Sequence, residues 1–144
     1  MEISTADPGG GRRAISIARL VARILLGLAF VGTGAMSFII TSPPPLPGLA
    51  GTFNAVFYAS HWAQFIGFAQ VVAGVLLLVN RFVPVALIIL AAFLYNSFAF
   101  HITMAQSALF APIVVLALWL LIATEYRAVF APIFTARPLE QAGL

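Results

Sequence analysis

The chain has no cysteine and no lysine, and charge of either sign is scarce: seven arginines, four carboxylates and two histidines in 144 residues. Without a thiol it has no disulfide framework, no thiol catalysis and no thiolate ligation of zinc or iron–sulfur clusters. Between Asp7 and Glu125 there is no carboxylate, and with lysine also absent there is no relay of ionisable groups for proton pumping. Charged residues make up 8% of the chain, where a soluble domain is usually near a quarter charged. Their placement says more than their number. Residues 24–80 carry no charge and neither do residues 82–124, runs of 57 and 43 residues. A helix crossing about 30 Å of hydrocarbon takes about 20 residues, so each run holds two crossings and a turn. With 62% hydrophobic residues and a mean hydropathy of +1.09, the chain reads as an all-α membrane protein, a bundle of four transmembrane helices. The sequence pI near 10.2 does not point to nucleic acid, because the arginines sit at span ends, where the membrane explains them.

Taken in order, residues 1–19 form a polar tail in which Asp7-Pro-Gly-Gly-Gly11 leads into Arg12-Arg13. The uncharged run Ile24–Ile40 is longer than a signal-peptide core, so the first span, about 20–41, is read as retained. The proline-rich stretch from Ser42 to Gly51 cannot continue a helix. Phe53, Val56, Phe57 and Ser60 follow at helical spacing and predict a short interfacial helix in this first outer loop. The remaining spans are expected at about 62–79, 84–104 and 109–124, separated by the Asn80-Arg81 and Gln106-Ser107 turns. The four-helix domain therefore covers 20–124, and residues 125–144 form a second tail. Gly27 and Gly34, seven apart on one face of the first span, and Gly74 on the second are expected to let helices pack closely. The N-terminal flank, the Asn80-Arg81 turn and the C-terminal tail hold all seven arginines. The positive-inside rule then places both termini in the cytoplasm, and the protein in a cytoplasmic (inner) membrane of bacterial type.

At about 1.5 Å per residue, the antiparallel spans bring Thr33, Gln70 and Asn96 to one depth in the outer half. His61, Gln64, Ser37 and His101 lie nearer the outer surface. Three readings of this level compete. Thr33 and Ser37 bond back to their own helix carbonyls while Gln70 and Asn96 bond across helices and fix the packing. Alternatively, the seven residues line a ligand site for a quinone head group or another small polar molecule. A haem between His61 and His101 is the weaker third, since both rings would have to converge. A zinc site is disfavoured because no carboxylate or thiol shares that depth. No residue is assigned a catalytic role, and the chain is expected to hold no cofactor with its own residues.

The same residues carry a family resemblance. Arg23-Ile-Leu-Leu-Gly-Leu-Ala-Phe-Val-Gly-Thr-Gly34 resembles the first span of DoxX family membrane proteins. Gln70 to Pro84 is similar to their second span and turn, and Asn96-Ser-Phe-Ala-Phe-His101 resembles their asparagine-to-histidine signature. The chain departs from the family at Ser37, where many relatives carry lysine, and at Gln70, where glutamate is frequent. The resemblance, which spans residues 19–124, implies a four-helix membrane protein linked to redox systems. Relatives are associated with thiosulfate:quinone oxidoreductase and with the scaffolding of oxidative-stress enzymes at the membrane. The expectation is an accessory or scaffold subunit of a larger membrane-bound redox complex, largely non-catalytic. Its partners would be the lipid bilayer, the other subunits and, as an option, further copies of itself. A quinone-interacting oxidoreductase subunit is the alternative, and a small-solute transporter the third.

Overall fold

The structure, a computed structural model, describes residues 8–42 and 45–134. The first seven residues, Pro43-Pro44 of the proline-rich loop and the tail from residue 135 lie outside the described residues. All regular structure among the described residues is helical.

Helix α1 runs from Pro8 to Ile39. It begins twelve residues before the expected span, so the arginine-bearing flank is helical rather than a loose tail. Proline suits a first helical turn because its missing N–H has no helical partner there anyway, and Arg12 to Arg23 holds no helix breaker. The helix stops at Ile39. Helix α2 (Gly48–Ala59) starts at a glycine with φ +63°. It meets α3 (Trp62–Leu78) through a corner at Ser60-His61, where His61 takes φ +59°, and the two axes are bent by 81°. Asn80 (φ +55°) then ends α3. The Arg81 amide donates to the Leu76 carbonyl at 3.1 Å and the Asn80 amide to Leu77 at 3.2 Å, a Schellman closure with asparagine in the left-handed position. Phe82 repeats the left-handed conformation, and Pro84 sits in the first turn of α4 (Val83–Thr103). A 3₁₀ turn at Gln106–Ala108 leads into α5 (Phe110–Ala123). A 3₁₀ turn at Thr124–Tyr126, the single helical turn α6 (Arg127–Phe130) and a last 3₁₀ turn at Ala131–Phe134 follow.

Three stretches are long and apolar enough to cross a membrane: 10–39, 83–103 and 106–134. The bent pair α2–α3 supplies a fourth if counted as one span. The long helices form a ring in which α1 packs on α3 and α5, and α4 closes the ring against the same two. The buried core joins Ala22, Leu26 and Phe30 of α1 to Ala73 and Leu77 of α3, Val83, Ala86, Leu87 and Leu90 of α4, and Ile122 of α5. All of it lies in the half nearer the arginines. Beyond it, Phe30 stands edge-on to Phe93, ring centres 5.1 Å apart, and Ser37, Ala63, Gln70 and Leu94 are buried nearer the other end.

The tightest contact is between α1 and α3, which run antiparallel. A Cβ on Gly27 would come within 2.8 Å of Leu78 Cγ and 3.1 Å of the Gly74 carbonyl. On Gly74 it would come within 2.8 Å of both the Gly27 carbonyl and Val31 Cγ2. One repeat further along, Gly34 meets the Gly67 carbonyl, and Gly67 abuts the Ser37 hydroxyl and the Gly34 carbonyl. Two glycine pairs spaced seven apart on each helix thus bring the backbones together, where dispersion and not water exclusion holds membrane helices.

Candidate functional site

The seven polar residues that share two depths differ in direction. On α1, Thr33 faces outward and its hydroxyl donates to the Ala29 carbonyl at 2.9 Å. Ser37 faces α3, is buried, and donates to the Gly34 carbonyl at 2.7 Å. Both hydroxyls bond back to their own helix, as expected of serine and threonine in a span. Asn96 is exposed on α4, and its Nδ2 donates to the Ala92 carbonyl at 2.9 Å. It does not bond across to Gln70. The expected interhelical amide bond is absent because depth alone says nothing about rotation around the helix axis. Buried Leu94 turns inward, so Asn96, about 200° further round at about 100° per residue, turns out.

Gln70 is buried against α1 beside Gly34 and makes no side-chain hydrogen bond among the described residues. Gln64 lies in the first turn of α3, and its Oε1 is buried without a partner among the described residues. His61 is exposed at the α2–α3 corner. His101 is half-buried near the end of α4, where its Nδ1 lies 2.7 Å from the Ser97 carbonyl. A carbonyl can only accept, so Nδ1 is the donor in this contact. Its ring stands edge-on to Phe100 (5.3 Å), and Phe100 contacts Phe53 of α2 (5.4 Å), which stacks on Phe57 (5.5 Å). Helix α2 is thereby tied to the end of α4 over His101. The structure brings Ser37, Gly67 and Gln70 together at the α1–α3 contact, and sets Thr33, Asn96 and His61 apart from them. No group of three or more His, Asp or Glu side chains among the described residues is placed to hold a metal ion.

Two features escaped the sequence reading. The last span is not featureless: Trp119 Nε1 donates to the Leu87 carbonyl of α4 at 2.9 Å. An indole N–H inside an apolar span needs an acceptor, which was the available signal. The second is Tyr95. It is 76% exposed beside Asn96, at the rim of an apolar groove of about 230 Å³ lined by Ala91, Leu94, Phe98, Leu116 and Trp119. Its hydroxyl has no partner among the described residues.

Among known proteins, the sequence model of the DoxX family matches residues 18–103, from the first half of α1 to the last residue of α4. No curated protein and no solved structure gives a significant match.

Proposed function

This chain belongs to the DoxX family, and on that premise we propose that it serves as an accessory or scaffold subunit, largely non-catalytic, of a larger redox complex in a cytoplasmic membrane. The observation that carries the reading is the pair Tyr95 and Asn96. Both lie exposed on the outward side of α4, about 10 Å from its end at about 1.5 Å per residue. Hydrocarbon offers nothing to the phenol hydroxyl or to the amide oxygen, and polar groups left in lipid are costly. A neighbouring membrane helix seated in the apolar groove beside Tyr95 supplies packing and a polar partner for the phenol, and one against the Asn96 face a partner for the amide, in the way polar residues join membrane helices. The arginine-bearing ends of the bundle face the cytoplasm in this reading, and α2 lies along the opposite membrane surface.

The test is extraction from native membranes in mild detergent, with identification of what migrates at fixed stoichiometry. A membrane-bound oxidoreductase or its subunits is the expected companion. Purification as a lone monomer would sink the proposal. Y95F/N96L should release the companion while leaving the helical content unchanged.

A second reading, a quinone-interacting subunit, draws on one observation. Gln64 Oε1 is a buried acceptor without a donor, which the hydroxyl of a quinol could supply. It predicts that Gln64→Leu and His101→Ala abolish quinone turnover by the purified complex. Unchanged turnover in both rejects it.

A further inference from the structure

At the arginine end of the bundle a cleft of about 220 Å³ is lined by Ser16, Arg19, Leu20 and Arg23 of α1, Asn80 of the α3–α4 turn and Glu125 after α5. Residues 16, 19, 20 and 23 recur at three and four, so they share one face of α1. Three elements thus converge on two guanidinium groups. Arg19 is held in place by Thr124: Nη2 donates to Oγ1 at 3.0 Å, while that hydroxyl donates onward to the Leu121 carbonyl at 2.7 Å. Its Nε is buried without an acceptor. Neither arginine forms an ion pair among the described residues, and Glu125, which also lines the cleft, stays out of ion-pair range of both.

An unpaired donor on a buried charged group is costly. An arginine already fixed by one hydrogen bond has lost little freedom still to lose when it binds. We propose that this cleft is a binding site for a phosphate group, taken from the headgroup of an anionic phospholipid in the leaflet at the arginine end. A guanidinium presents paired N–H donors matched to phosphate oxygens. The Arg19 and Arg23 guanidinium groups supply the charge, and the Asn80 amide and Ser16 hydroxyl supply neutral donors. At about 30 Å³ per water the cleft holds several waters, room enough for one phosphate diester and its ester oxygens. Two arginines against one glutamate leave a net positive charge that favours an anionic over a zwitterionic headgroup. The glutamate keeps the site weaker than two arginines alone would make it.

The full chain, reconstituted in nanodiscs of phosphatidylcholine with 20–30% phosphatidylglycerol and released into mild detergent, is examined by native mass spectrometry. The expected result is one retained phosphatidylglycerol per chain. Arg19→Gln and Arg23→Gln should each lower retention about fivefold, the equivalent of about 1 kcal/mol per charge near a membrane surface. Glu125→Gln should raise it. Because Arg19→Gln also loosens the Thr124 contact, Arg23→Gln and Glu125→Gln decide the matter for any variant that unfolds. Displacement by millimolar inorganic phosphate assigns the site to free phosphate as its source, and resistance to displacement assigns it to lipid. Retention unaffected by Arg23→Gln and by Glu125→Gln overturns the proposal.

Discussion

Gly74→Ala is the sharpest probe of how this bundle holds together. The added methyl carbon would lie 2.8 Å from the Gly27 carbonyl oxygen, 2.8 Å from Val31 Cγ2 and 2.9 Å from the Val31 amide nitrogen. Carbon contacts are at their best near 3.5–4.0 Å, so α1 and α3 must separate by about 0.7–1 Å. Two of the three obstacles are backbone, which no rotamer change relieves. A gap of 0.5–1 Å forfeits about a quarter to a half of each dispersion contact along the seam, and overpacking of this kind costs about 1–3 kcal/mol. Against that stands a gain of about 1 kcal/mol in helix propensity for alanine over glycine. Gly32→Ala isolates the second term: it lies on α1, in the same apolar stretch, with open space at its Cβ. The difference between the two variants therefore reports the clash alone, about 2 kcal/mol at the middle of the range. Gly67→Ala, which strikes Ser37 and the Gly34 carbonyl, should behave like Gly74→Ala. Gly27→Ala meets chiefly the movable Leu78 side chain and should fall between. Reversible unfolding in mixed micelles, followed by far-UV circular dichroism, gives the numbers. If Gly74→Ala and Gly67→Ala proved as stable as Gly32→Ala, the α1–α3 seam would not be what joins the bundle.

Other consequences can be checked in the same preparations. Trp119→Phe removes the donor to the Leu87 carbonyl and should cost about 0.6–1.5 kcal/mol, near the measured scale of interhelical bonds in membranes. Phe53→Ala breaks the stacked pair with Phe57 and the contact with Phe100, an aromatic contribution of about 0.5–1.5 kcal/mol each, and should speed amide exchange across 48–59 while leaving α1 and α4 protected. Because the chain has no cysteine, single introduced thiols report sidedness without background. Ser107→Cys should react with an impermeant maleimide from outside intact cells, and Ala128→Cys only after lysis; the reverse pattern would invert the proposed orientation.

Three of the four expected spans, and the gathering of the described arginines at one end, were legible from the two charge-free runs, because hydrocarbon thickness sets a length that charge cannot interrupt; the fourth is the bent pair α2–α3 and counts only if the two are taken together. The helical pattern at Phe53, Val56 and Phe57 was also legible, and it lies on α2. The glycine seam was half read. Gly27, Gly34 and Gly74 stood out, but Gly67, which completes the second pair, did not, although it precedes Gly74 by the same seven residues. The polar level was legible in depth and not in direction. Thr33 follows Gly32 and precedes Gly34, so it sits about 100° from the face that meets α3. Asn96 stands apart from Leu94 in the same way. Azimuth depends on which small residues a neighbouring helix selects, and that choice rests on the whole bundle. The helical start at Pro8 was missed because a glycine triplet reads as a breaker, while the ten residues after it propagate the helix through it.

The short reach of α3 has a consequence for the surrounding bilayer. Its 17 residues extend about 26 Å at about 1.5 Å per residue, while the 21 residues of α4 beside it extend about 32 Å. A hydrocarbon layer of about 30 Å fits neither edge of the bundle. If α3 crosses a bilayer without α2, the lipids beside it must thin by a few Å to match it, while those along α4 need not. Such a lopsided mismatch would deform the membrane on one flank only. Deformation of a fraction of a kcal/mol per Å is relieved when two thinned flanks share a rim. On that geometry a second short-spanned protein would be drawn to the α2–α3 flank by the elasticity of the membrane, with no contact residue involved.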